Sequence, residues 1–80
     1  MYELFYTDKF KKDAKRLDRT NQEILKKVIA KIMENPKRFK PIQRGMPRFR
    51  IRFNVYRLLY SVEGNMIKLL RVGNRDSIYD

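Results

Sequence analysis

The sequence contains no cysteine and no histidine. Without thiols there is no disulfide framework and no thiolate metal site. Without imidazole as well, transition-metal binding and histidine acid–base chemistry are close to excluded, and neither a metal nor a cofactor is expected. Acidic residues are scarce: nine Asp and Glu stand against twenty Lys and Arg, for a net charge of +11. A charged surface of the thermophile type would balance lysine with glutamate. This imbalance points instead to an anionic partner, whether nucleic acid, an anionic membrane surface or an acidic protein. No apolar run approaches the ~18 residues that would suggest a membrane span. Met1 to Phe5 do not show a basic segment followed by an apolar one, so no secretory signal is read and a cytoplasmic protein is expected.

The sequence does have a basic strand pattern. Between Lys37 and Val62 there are eight basic residues and no acidic one. Within that stretch Arg48, Phe49, Arg50, Ile51, Arg52 and Phe53 alternate strictly between cation and apolar residue. Successive side chains on a strand point to opposite faces, so the pattern puts three guanidiniums on one face and Phe49, Ile51 and Phe53 on the other. Asn54 and Val55 leave room for a tight turn, and Tyr56 to Val62 reads as a second strand of aromatic and branched residues. Unpaired arginines on a sheet repel one another unless an anion meets them.

Eighty residues make one small domain, read here as 1–80, which buries about 60–65% of the surface its unfolded chain exposes. Tyr2 to Tyr6 alternates around Leu4 as a first strand. Thr7 or Asp8 can cap a short basic helix whose apolar stripe is Phe10, Ala14 and Leu17. Thr20-Asn21-Gln22-Glu23 matches a capping box, and Ile24, Leu25, Val28, Ile29, Ile32 and Met33 form the apolar face of a second helix. Asn35-Pro36 ends it. Lys37 to Pro47 is a loop with Phe39 and Ile42 as anchors. Glu63-Gly64-Asn65 reads as a hairpin turn before a last strand, Met66 to Val72. The order β-α-α-β-β-β predicts an α+β fold, an antiparallel sheet with a helical hairpin packed on one face.

Arg44-Gly45-Met46-Pro47, Arg50-Ile51-Arg52, Tyr56-Arg57-Leu58-Leu59-Tyr60, Val72-Gly73-Asn74-Arg75 and Ile78-Tyr79 follow one another along the chain. In this order they resemble the RelE/ParE superfamily of toxins, and within it the RelE branch. The resemblance covers essentially the whole chain. It implies a ribosome-dependent endoribonuclease that cuts messenger RNA in the decoding site and is held in check by a RelB-like antitoxin. The family's site residues fall on Arg50, Arg52, Arg57, Arg75 and Tyr79. The chain departs from the family where better-known members carry lysine (at Arg50 and Arg52), and where others carry a histidine near Asn74 or at the C-terminus.

RNA cleavage by its own 2′-hydroxyl needs in-line geometry, neutralisation of the pentacoordinate phosphate, and proton transfer. Arginine serves the first two, because its fork binds two phosphate oxygens at once. It cannot serve the third, since it does not deprotonate in proteins. Arg50, Arg52, Arg57 and Arg75 are therefore assigned to binding and electrostatic stabilisation. Tyr79 either exchanges a proton, its phenol acidified by nearby cations, or stacks on a base. Arg44 and Arg48 extend the basic strand as RNA-binding residues. Lys12 and Lys15, on the first helix, belong to a basic face that aids docking on the ribosome. The bland readings are a solvated sheet face for the arginines, an ion pair of Arg57 with Glu3 or Asp80, and one of Arg75 with Asp76. Two rival functions share the fold class: a ParE-like inhibitor of DNA gyrase, and a non-catalytic RNA- or ribosome-binding module.

Overall fold

The structure, a computed structural model, describes residues 2–41 and 48–78. Strand β1 (Glu3–Tyr6) leads into helix α1 (Asp8–Lys15) and helix α2 (Arg19–Glu34). The two-residue β2 (Lys40–Pro41), β3 (Arg48–Phe53), β4 (Tyr56–Glu63) and β5 (Met66–Asn74) follow. The α+β class and the order of the main elements are those expected from sequence. The sheet, in the order β1-β5-β4-β3-β2, is mixed rather than antiparallel throughout. β5 returns from the β4 hairpin to lie parallel to β1, with Leu4 beside Ile67 and Tyr6 beside Leu69. This follows from connectivity: the two helices intervene between β1 and the rest of the sheet, which frees the first strand to pair in either direction.

Both helices start on polar caps. The Thr7 hydroxyl accepts from the Phe10 N–H at 3.1 Å and donates towards the carbonyls of Leu69 and Leu70 at 3.0 Å each. It thereby ties the start of α1 to β5. The second helix begins earlier than the Thr20–Glu23 capping box predicts. Asp18 is its N-cap and accepts from the Asn21 N–H at 2.9 Å and the Asn21 side chain at 2.8 Å. A carboxylate at the helix N-terminus both accepts from the free N–H groups and meets the positive end of the helix dipole.

Phe10, Leu25, Val28 and Ile32 from the helices and Leu17 from the link between them meet Phe49, Phe53, Leu58, Tyr60, Val62, Ile67, Leu69 and Val72 from the sheet in one core. Ile24, Ile29 and Met33 pack at its margin. The Tyr60 ring is fully buried and stacks on Phe49 with centroids 5.4 Å apart. Its hydroxyl donates to the carbonyl of Pro36 at 2.6 Å, which fixes the chain where it leaves α2. Burial holds the Tyr60 phenol well above its usual range. Tyr60→Phe keeps the ring but leaves that carbonyl without its donor, and is expected to cost about 1–3 kcal/mol in denaturant melts. The sign of the pH dependence follows from the raised pKa. The unfolded phenol ionises first, so stability is full below about pH 10 and falls above it. Tyr60→Phe should flatten this alkaline decline, and an unchanged slope would remove Tyr60 as its source.

A basic sheet face as candidate functional site

The helices cover one face of the sheet, and the strand register decides what stands on the other. Phe49, Ile51 and Phe53 of β3 are paired with Tyr60, Leu58 and Tyr56 of β4, and these face the helices. The alternate set therefore faces away: Arg48 beside Ser61, Arg50 beside Leu59, and Arg52 directly opposite Arg57. On the far side of β4, Arg57 is registered with Gly73 of β5. Two guanidinium side chains thus stand on adjacent strands as a cross-strand pair, with a residue lacking a side chain next in the row. Like charges directly opposite are unfavourable by themselves. An anion that bridges them turns that cost into affinity.

Arg48 and Arg52 are exposed, while Arg50 and Arg57 are half-buried. The Nε of Arg57 is shielded from solvent, as befits the central strand of the basic face. Glu3, one expected partner of Arg57, lies on β1 beside Met66, at the far end of β5 from Gly73. Asp80, the other, lies outside the described residues. Arg75 is exposed and follows β5 in a turn, where its N–H donates to the carbonyl of Val55 at 2.9 Å. This anchors its backbone at the β3–β4 turn, the same end of the sheet as Arg52 and Arg57. Among the described residues Arg75 makes no ion pair with Asp76. The structure thus gathers Arg48, Arg50, Arg52 and Arg57 on one face, with Arg75 at its end. Lys12 and Lys15 are exposed on α1, in the helical layer on the other side. Arg44 and Tyr79 lie outside the described residues.

Two features of this end of the molecule lie outside the site residues expected from sequence. The first is Asp13, buried on α1. Its carboxylate accepts from the Arg71 guanidinium at 2.6 and 3.2 Å and from the Val72 N–H at 3.2 Å. The hydrogen bond to Asp13 raises the Arg71 pKa further. Arg71 stands at an irregularity of β5, where the register with β4 slips between Leu59 and Tyr60 and leaves Leu70 as an extra residue. The pair pins α1 to β5 just beyond the end of β1. One signal does point to it: Asp13 falls on the Phe10–Leu17 stripe, where an acid among lysines needs a buried partner.

The second is the contact of Gly73 with Ile78. A Cβ at Gly73 would come within 2.8 Å of Ile78 Cγ1. Ile78 is buried, and its N–H donates to the Asn74 carbonyl at 3.0 Å. The chain after β5 therefore folds back tightly against the strand, and glycine is required there for space. A cavity of about 210 Å³ beside it is lined by residues that include Asp13, Leu17, Tyr56 and Ile78.

Among the described residues there is no group of three His, Cys, Asp or Glu side chains placed to hold a metal ion. No described helix is long and apolar enough to cross a membrane.

The sequence matches a family model over residues 4–79, that of the ParE toxin of type II toxin–antitoxin systems, parDE. No curated protein matches it. Among solved structures it is similar to the isolated RelE toxin of E. coli, with a TM-score of 0.81, 29% identity, and 92% of this chain and 84% of that chain covered. The toxin in the intact E. coli RelBE toxin–antitoxin complex aligns with a TM-score of 0.79 at 30% identity, covering 92% of this chain and 96% of that one. A chain of the RelB–RelE antitoxin–toxin complex of Methanococcus jannaschii aligns with a TM-score of 0.78 at 29% identity, covering 94% of both chains.

Proposed function

The chain belongs to the ParE toxin family of type II toxin–antitoxin systems, and from that premise we propose that it is a ribosome-dependent endoribonuclease that cuts messenger RNA in the decoding site. The observation that carries this reading is the Arg52–Arg57 cross-strand pair, with Arg50 beside it, on the sheet face the helices leave uncovered. A phosphodiester in an RNA strand is an anion that such a basic face attracts. In the proposed reaction Arg50 and Arg52 grip non-bridging oxygens of the scissile phosphate with Arg75 at the edge. Arg57, held in the middle of the sheet, meets the charge that develops as the 2′-oxygen bonds to phosphorus and the P–O5′ bond breaks, leaving a 2′,3′-cyclic phosphate and a 5′-hydroxyl. Tyr79 is the proposed proton-exchanging group, and the ribosome holds the message in the reactive shape. Arg44 and Arg48 extend the contact along the RNA. Lys12 and Lys15 act from the helical layer as docking charges, which adds salt-dependent affinity without specificity. No step calls for a metal or cofactor.

The partner we propose is a RelB-like antitoxin in a hetero-oligomer. The similar structures include toxin–antitoxin complexes from E. coli, Mycobacterium tuberculosis and M. jannaschii. An acidic or apolar antitoxin segment that covers the Arg50–Arg57 face, or displaces the Tyr79 tail, would silence it. The proposed setting is the cytoplasm, where ribosomes and message are found, and the proposed unit is a single toxin domain over 1–80.

One observation favours a second reading, inhibition of DNA gyrase, because the matching family model is described as ParE. The dense basic strand argues for RNA. Primer extension on ribosome-bound message should show new 5′ ends when the purified chain is added, and a gyrase supercoiling assay should be unaffected. Blocked supercoiling with no new 5′ ends would reverse the assignment. Ribosome binding with neither effect would leave a non-catalytic module.

A further inference from the structure

At the outer side of β3 the sheet is incomplete. β2 is registered only with Phe49 and Arg50, so from Ile51 onward no described strand lies beside β3. A depression of about 370 Å³ opens there, lined by Phe39, Arg50, Ile51 and Arg52. Its lining combines one aromatic ring, one branched aliphatic side chain and two arginines. Phe39 is half-buried: it packs against the margin of the core, and it also lines this open depression. The Arg38 guanidinium stands over one face of that ring, 5.3 Å from its centre, and adds positive charge beside it.

An aromatic surface flanked by cations is what a nucleotide needs, a flat π face for the base and positive charge for its phosphate. The volume falls in the range of small-ligand pockets, roughly 300–1,000 Å³. The position fits as well. Arg52 lines the depression and is also one half of the Arg52–Arg57 pair. Neighbouring strands are ~4.8 Å apart, so a phosphate held between Arg52 and Arg57 lies about one nucleotide's reach from the Phe39 ring. A residue that only anchored the connection after α2 would have no reason to share a depression with two arginines of the basic face.

We propose that Phe39 forms, with Ile51 and Arg52, a subsite that stacks one nucleobase of single-stranded RNA next to the phosphate held by the arginine pair. The proposal rests on the reading of this face as an RNA site and adds to it a residue that reads the base. Stacking tolerates any base, so the subsite sets register along the strand and gives no strict sequence preference.

The test compares a short single-stranded RNA with a ribose-phosphate oligomer of the same length that carries no bases. Fluorescence anisotropy on the purified chain should give roughly tenfold tighter binding of the RNA. Phe39→Leu keeps apolar packing but removes the π face. It should erase this difference while leaving the affinity for the abasic oligomer and its salt slope as in the parent, because no charge is lost. Phe39→Tyr should restore the difference. In ribosome cleavage, Phe39→Leu should raise the message concentration for half-maximal cutting with little change in the maximal rate. Equal binding of both oligomers by the parent overturns the proposal, and so does a base preference that survives in Phe39→Leu. Should the parent bind RNA with a base preference yet cut no message, the ribonuclease reading falls and the subsite stands. If it cuts message but shows no base preference, the subsite alone falls.

Discussion

Arg57→Ala should lower single-turnover cleavage on ribosomes by about a hundredfold or more while ribosome affinity stays close to that of the parent. Arg57 lies on β4, between the strand that carries Arg50 and Arg52 and the strand that carries Gly73. Its side chain is half-buried and its Nε is shielded from solvent. A charge held in this way loses little entropy when it meets the transition state, and pre-set dipoles and charges of this kind act chiefly on the reacting step. Arg48 and Arg52 are exposed and are suited to gripping the ground-state backbone. Lys12→Ala, on exposed α1, should behave in the opposite way, with weaker and less salt-sensitive docking and an unchanged chemical step. If Arg57→Ala and Lys12→Ala lose affinity alike, and more protein fully restores cutting by Arg57→Ala, then Arg57 is a docking residue and the electrostatic assignment is wrong.

Ile32→Ala should cost roughly 2–5 kcal/mol of stability, because the side chain has no exposed surface and its removal leaves a cavity in the core. In a domain of this size each kcal/mol moves the melting midpoint by about 4–8 °C. The variant should therefore melt far below the parent. Ile29→Ala should cost clearly less. Ile29 sits at the margin of the core, beside an open groove that also contains Tyr6, Leu25 and Lys26. Denaturant midpoints for the two variants check both claims at once. Equal losses would mean that the groove beside Ile29 is closed in solution. A loss below half a kcal/mol at Ile32 would mean that α2 does not pack on the sheet.

Local periodicity determined much of this protein. The strict alternation of Arg48 to Phe53 has a single solution on a strand, so its arginine face and its apolar face are legible in the residues themselves. The stripes Phe10–Leu17 and Ile24–Met33 likewise decide which sides of the helices meet the sheet. These patterns are readable because side-chain direction depends only on backbone period. The excess of cations by itself points to an anionic partner.

Pairings between residues distant in sequence carry no such period, and tertiary structure alone decided them. It set β1 parallel to β5 and placed Gly73 in the row of Arg52 and Arg57, a pair that the two-residue Asn54–Val55 turn already sets opposite each other. It chose Asp18 over the Thr20 capping box, since the start of a helix depends on what its first turn meets. It also buried Asp13 beneath Arg71 and brought Phe39 to the rim of the basic face. Apart from the helix start, these are contacts between groups far apart in the chain, and only the packed sheet provides the geometry that joins them.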